Sequence, residues 1–286
     1  MPAPVSVLTL VRGRALPFER LVEGLCRQNV LPDRLVVAFM QDNPPALPPT
    51  PFPVSLVQVP GEPMPLAAAR NRAAEAGGDG LLIFLDVDCI PSPELVRALT
   101  SAAEAHRGLL LGDVLYLPQG GADHDRSPAR LDRLGERHPA RPVLASGEIR
   151  PEPDHGALWG LCFALPASLW HRAGGMDERY AGYGAEETDF AARLARLGTD
   201  VHWVADARAW HQYHPVHVPP LQHFDHIVRN ARIFRETWGR WCMEYWLGQF
   251  RDRGLVDWTD TELRVRRRPT EAECAAALAS AEKRFS

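Results

Sequence analysis

The chain has 286 residues, of which 45% are hydrophobic and 24% charged, with a net charge of −4 at pH 7. That length carries one large domain or two small ones with ample core, and the mildly acidic balance excludes broad electrostatic binding to nucleic acid. Five scattered cysteines (Cys26, Cys89, Cys162, Cys242 and Cys274) lack paired metal spacing and fit a reduced compartment.

The first strand is expected at 5–11, closed by Arg12-Gly13-Arg14. A helix follows over 18–28, with Leu21, Val22 and Leu25 at helical spacing. Strands are expected at 35–40 and 54–59, then an Ala/Arg-rich helix over 65–76 that Gly77-Gly78 stops. Residues 81–85, Leu-Leu-Ile-Phe-Leu, read as a strand buried on both faces, and the run breaks into Asp86-Val87-Asp88. A helix over 93–106 and a strand over 109–117 continue the alternation, which argues for parallel strands with crossover helices. Residues 118–154 are rich in Gly, Pro, Arg, Asp and His and read as a long loop. Strand-like sequence returns at 158–165, followed by a short helix over 168–172. The Gly-rich stretch 174–185 leads into a helix from Glu187 to about Gly198, with Phe190, Leu194 and Leu197 as its apolar stripe. A last strand over 201–210 ends in His211-Gln212-Tyr213-His214. Beyond Pro219 the chain reads as helical and aromatic, with Phe224, Phe234, Trp238, Trp241, Tyr245, Trp246 and Phe250.

Three groups of residues carry chemistry. Asp86 and Asp88, one spacer apart at the carboxyl end of a central strand, suit a hard divalent cation that also touches phosphate oxygens. Taken alone, Asp-x-Asp reads better as an ordinary polar strand end followed by a turn. Glu186 and Glu187 flank the apolar stripe at a helix N-terminus, where acids also simply complement the helix dipole. The Gly182-x-Gly184 turn before them allows close approach of a substrate and favours a carboxylate acting as general base. His211 and His214 offer imidazole ligands for a manganese-like ion. Arg70 and Asn71 precede the Asp-x-Asp strand, where an arginine either solvates a helix face or pairs with phosphate. Asp42 ends the second strand, as a turn residue or a partner for a base or ribose.

With these residues assembled, the chain resembles inverting nucleotide-sugar glycosyltransferases of the GT-A fold, family 2 and its galactosyltransferase-like relatives. Ala69-Arg70-Asn71 followed by Phe84-Leu85-Asp86-Val87-Asp88 is similar to the nucleotide and metal segment. Residues 174–178 and 182–190 are similar to the acceptor and catalytic-base segment, and 211–214 to the late metal-ligand segment. The resemblance implies a Rossmann-like α/β domain with a mostly parallel sheet over 1–218; the helical, aromatic stretch over 219–286 reads as its extension. Within the domain, 1–117 would bind the nucleotide sugar, 118–157 form a flexible loop closing over the donor, and 158–218 hold acceptor and base. It implies Glu187, with Glu186 in reserve, as the base. It implies Val11, Arg12, Asp42, Arg70, Asn71, Asp86, Val87 and Asp88 at the donor, and Trp159, Tyr183, Gly184, Glu186 and Asp189 at the acceptor. Asp86, Asp88, His211 and His214 would hold Mn2+ or Mg2+. The family usually has Glu-Asp where this chain has Glu186-Glu187, so its base is one methylene longer.

The expected partners are a nucleotide-sugar donor, UDP-linked by the family default, and a hydroxyl-bearing acceptor, free or lipid-linked. Neither a signal segment nor a transmembrane run is visible, so a cytoplasmic protein is expected, with the inner membrane face as its one peripheral alternative. Two competing classes share some features. A sugar-phosphate nucleotidyltransferase would need a Gly-rich loop after the first strand, where this chain has Leu10-Val11-Arg12-Gly13-Arg14. A non-catalytic nucleotide- or carbohydrate-binding module would not need the intact carboxylates.

Overall fold

The computed structural model describes residues 3–285; Met1, Pro2 and Ser286, at the outer bounds of the two expected domains, lie outside the described residues. Strand β1 (Val5–Val11) is followed by α1 (Ala15–Cys26), β2 (Arg34–Phe39), β3 (Val54–Gln58), α2 (Leu66–Gly77) and β4 (Leu81–Leu85). After the Asp86-Val87-Asp88 turn come β5 (Cys89–Pro91), α3 (Leu95–Ala105) and β6 (Leu109–Tyr116). Where a loop is expected over 118–154, the structure has α4 (Pro128–Leu134) and the short strands β7 (Glu136–Arg137) and β8 (Ile149–Pro151). The chain continues through β9 (Cys162–Pro166), α5 (Ala167–Arg172), α6 (Glu186–Arg196) and β10 (Val201–His211). The last part contains α7 (Phe224–Trp238), α8 (Glu244–Asp252), a β11 (Val256–Trp258)–β12 (Leu263–Val265) hairpin and α9 (Glu271–Ala276).

Among the described residues the main sheet has ten strands, in the order β3-β2-β1-β4-β9-β6-β10-β5, with β7 on β6 and β8 on β10. Strands β1 to β4 pair in parallel. β9 enters antiparallel between β4 and β6, and β6 and β10 are again parallel. Strands β1, β2, β3, β4, β6 and β10 therefore point the same way, so their carboxyl ends share one edge. Alternating side chains line opposite faces of a strand. Leu8, Leu82 and Phe84 face one core with Phe163, Trp170, Phe190 and Leu194. Val7, Val11, Ile83 and Leu85 face the other, with Phe18, Leu21, Val22 and Leu25 of α1 and Leu95, Val96 and Leu99 of α3. Leu197, expected in the stripe of α6, is 39% exposed because the helix has already ended at Arg196.

The C-terminal part has its own core of Phe224, Ile227, Trp241, Leu247, Phe250, Leu255 and Leu263. It docks on the α/β layer through Tyr180 and Ala185 against Phe234 and Cys242. Among the described residues, no helix is long and apolar enough to cross a membrane.

Candidate active site

The aligned carboxyl ends of β1, β4, β6 and β10 converge on one edge, where ligands gather in open α/β sheets. The Asp86 amide donates to the Leu161 carbonyl at 2.8 Å, its Oδ1 accepts from the Val87 amide at 2.8 Å, and the Cys89 amide returns to the Asp86 carbonyl. This tight turn feeds β5, which pairs antiparallel with β10 so that Cys89 faces His211. The Gln212 amide also donates to the Asp88 carbonyl at 2.7 Å. Two strand ends distant in sequence are thereby fixed side by side.

One ligand atom from each of Asp88, His211 and His214 lies within 4.8 Å of the other two. A carboxylate and two imidazoles suit a manganese-like ion. Asp88 Oδ1 is buried and has no hydrogen-bond partner among the described residues, and buried polar atoms seldom stay unpaired. His211 is held down to about 3 by burial, then by His214 and Arg14, so its imidazole is neutral with a lone pair to offer. Burial also raises Asp88, against the pull of Arg14, whose Nη1 lies 3.3 Å from Oδ2. Asp86 stands outside this group of three. Burial, followed by the Asp88 charge, pushes it up to about 6.

The second constellation rests on Arg70. From α2 its buried guanidinium donates to Glu187 Oε1 at 2.6 Å and, through Nη1, to Glu186 Oε1 at 3.4 Å. Burial pulls the guanidinium down, and the charges of Glu187, Glu186 and Asp86 more than offset it. Burial, followed by Glu187, pushes Glu186 up to about 8 even with Arg70 beside it. Tyr183 is raised to about 12 by burial, then by Glu187, Glu186 and Asp86. Gly160, at φ +64°, makes room for this cluster: a Cβ there would overlap Glu187 Oε1 and lie 2.8 Å from Arg70 Nη2.

Several expected site residues are engaged elsewhere. Arg70 is not free for a donor phosphate, since both ends of its guanidinium serve the glutamates. Asn71 closes a ring with the Met176 backbone, donating to its carbonyl at 2.9 Å and accepting from its amide at 2.8 Å, and so belongs to the glycine turn. Asp189, expected at the acceptor, is fully buried; it accepts from Trp238 Nε1 at 2.8 Å, from Tyr180 Oη at 3.4 Å and from Arg193. Its polar bonds stabilise the base of α6 rather than meet a substrate. Arg12 pairs with Glu62 at the surface, and Asp42 is exposed, with its main-chain oxygen accepting from Gln58. The side chains of Val11 and Val87 are buried in the core.

Trp159 is 38% exposed, with the Arg141 guanidinium carbon 3.2 Å from its ring centroid and His138 edge-on at 4.7 Å. Tyr183 stacks on His223 at 4.4 Å and leans on Trp246 at 5.6 Å. Gly184, at φ +90°, lets Met243 approach to a point where a Cβ would lie 2.7 Å from its sulfur. Residues not anticipated also line the site. They are Arg14, Tyr116, whose ring lies 4.9 Å from that of His211, and Gly160. Only Arg14 left a trace in the sequence, as the second arginine of the strand-ending Arg-Gly-Arg.

Residues 141–218 match the family model described as the N-terminal domain of galactosyltransferase. A validoxylamine A glucosyltransferase from Streptomyces hygroscopicus subsp. jinggangensis is 27% identical over 153 residues, covering 46% of this chain and 36% of the relative. The chain thus spans about a third of the length of that curated relative. The solved structure of GalNAc-T7 with UDP, GalNAc and Mn2+ superposes with a TM-score of 0.51 at 18% identity, over 74% of this chain and 43% of that one. A Pyrobaculum calidifontis mannosyltransferase in complex with GDP-Man and Mn2+ gives 0.51 at 16% identity, over 82% and 65%. The fold is GT-A. The resemblance read from the sequence holds at that level, and β9, inserted antiparallel, makes the GT-A sheet mixed rather than uniformly parallel.

Proposed function

We propose that this chain is a metal-dependent inverting glycosyltransferase, moving a sugar from a nucleoside-diphosphate donor to an acceptor hydroxyl. Residues 1–218 form the GT-A domain and 219–286 its extension. The observation that carries this reading is the Asp88–His211–His214 group beside the Arg70-bound Glu186 and Glu187, the two joined at Asp86, which feels the charges of Asp88, Arg70 and Glu187. Names of the similar proteins, with their UDP, GDP-mannose and Mn2+, support the donor class, and UDP is the default nucleotide.

Asp88, His211 and His214 would hold Mn2+ or Mg2+, which when bound neutralises charge developing on the diphosphate leaving group. Arg14, beside Asp88, adds a guanidinium for the same phosphates. Glu187 keeps one oxygen on Arg70 and uses the other to take the acceptor's hydroxyl proton. As that proton leaves, the acceptor oxygen bonds to the anomeric carbon from the face opposite the diphosphate. The bond from anomeric carbon to phosphate oxygen breaks, and the nucleoside diphosphate departs. Glu186, protonated at neutral pH, can donate a hydrogen bond to an acceptor oxygen. Trp159 and Tyr183 offer ring faces and edges to sugars. On this reading the 118–157 segment, whose Arg141 lies over Trp159, closes over the donor and limits water access.

The test is a panel of nucleotide sugars with Mn2+ and simple glycosides, scored by release of nucleoside diphosphate. One donor should turn over, excess EDTA should abolish turnover, and Mn2+ should restore it. Full activity in EDTA, or no turnover with any donor, would overturn the reading.

A further inference from the structure

We infer that Asn230, in the C-terminal extension, is a positioning residue that fixes the turn carrying Glu186 and Glu187. The inference rests on the transfer reading above for its functional half. Asn230 sits within the apolar stripe of α7 beside Ile227, Ala231 and Phe234, and it is fully buried. A buried amide in such a stripe is kept only if its hydrogen bonds are made. Here its Nδ2 donates to the Gly184 carbonyl at 2.7 Å, with the Ala181 and Tyr183 carbonyls each at 3.3 Å. Its Oδ1 accepts from Arg229 Nη2 at 3.1 Å, and the same guanidinium donates to the Ala181 carbonyl.

The turn it holds is demanding. Gly182, Gly184 and Ala185 have φ of +80°, +90° and +79°, and Ala185 pays a steric cost that glycine would not. With no side-chain cap at the start of α6, this left-handed residue directly precedes Glu186. Asn230 donates to the carbonyls of this turn, and Arg229 adds a second donor to that of Ala181. One turn further on, Trp238 of the same α7 donates to Asp189 at 2.8 Å. Helix α7 therefore grips α6 on both sides of the glutamates, while Arg70 holds their carboxylates from the sheet side. Glu187 reaches its working position only if the backbone under it is fixed to within a fraction of an ångström.

The experiment compares Asn230→Leu, which keeps volume in an apolar stripe but removes both amide hydrogens, with Trp238→Phe, which removes the indole N–H and keeps a smaller aromatic ring. Amide hydrogen exchange, UDP binding with Mn2+ and initial rates with the donor that turns over in the panel are measured for each. Asn230→Leu should raise exchange at 182–188 at least tenfold while β1 and β4 stay protected and UDP–Mn2+ affinity stays within about twofold. It should lower kcat at least tenfold with little change in donor KM. Asn230→His, which restores a ring N–H, should recover part of both. Should Asn230→Leu fail to fold, Asn230→His carries the test with the same signature at smaller amplitude. Unchanged exchange at 182–188, or UDP–Mn2+ affinity falling in parallel with kcat, would overturn the inference. A wild-type protein without transfer activity would instead remove the proposed function, and the exchange measurement would still decide whether Asn230 holds the turn.

Discussion

Gly160 and Glu186 show how single positions set this site. At Gly160 both the left-handed backbone and the approach of Glu187 and Arg70 demand the absence of a side chain. Gly160→Ala should displace the Arg70–Glu187 pair and lower turnover about 10²-fold, the lower end of what a positioned base contributes. The UDP–Mn2+ thermal shift should be kept, because Asp88, His211 and His214 are held by other strands. Activity within twofold of wild type would show that the pair tolerates displacement. Glu186 makes the opposite demand, since burial raises it to about 8 from an ordinary value of 4.5. Between those values the folded protein holds a proton that the unfolded chain releases. Its contribution to stability is therefore fully present below about 4.5 and is lost as pH rises through about 8. Urea unfolding at pH 5, 6.5 and 8 should show wild-type stability declining relative to Glu186→Gln across that range. Parallel curves would show that Glu186 is charged in the folded state.

Elements were legible where their pattern is local. The apolar runs of β1 and β4, the helical spacing in α1 and the acid pair that opens α6 all follow from neighbours in sequence. What escaped depends on partners far along the chain. The three-residue β5 is a strand only because β10 lies beside it, and β9 reverses direction between two parallel strands for reasons its own sequence does not carry. Arg70 reads as a phosphate ligand until Glu186 and Glu187, more than a hundred residues on, fold over it. A similar long-range device sets the end of β10. Its register against β6 shifts between Val204 and Arg208, and the buried Asp113 opposite this bulge accepts from Arg208 Nη2 at 2.7 Å and Arg137 Nη2 at 2.6 Å. Bulges re-aim the residues that follow them, here the stretch leading to His211. Asp113→Ala should cost about 3 kcal/mol, the low end for breaking a buried pair, because both guanidiniums keep some solvent contact. It should also weaken Mn2+ binding by loosening the end of β10. A urea midpoint unchanged from wild type, with Mn2+ affinity intact, would show that the bulge holds without its carboxylate.

At the scale of the whole molecule the question is whether residues 219–286 are an appendage or part of the site. The aromatic residues that mark this stretch in the sequence are divided between two jobs. Phe224, Trp241 and Phe250 build its own core, whereas Phe234 and Trp238 face Tyr180, Ala185 and Asp189 of the α/β layer. Cutting before Pro219 would strip the second group from its partners. Asp189 would lose the Trp238 donor, the carbonyls of Ala181, Tyr183 and Gly184 would lose Asn230, and Tyr180 would lie open. Water would replace those partners, so the main loss is the apolar surface uncovered around Tyr180 and Ala185, at roughly 25 cal/mol per Å². Against a total stability of about 5–15 kcal/mol, that loss leaves little margin. The 1–218 fragment should therefore be insoluble or melt without cooperativity, and Mn2+ with UDP should not rescue it. The measurement is solubility, then thermal melting by circular dichroism with and without UDP and Mn2+. A soluble fragment that melts cooperatively and hydrolyses donor without transferring it would assign the extension to the acceptor alone. A fragment that still transfers would show that the α/β layer holds its catalytic turn without α7.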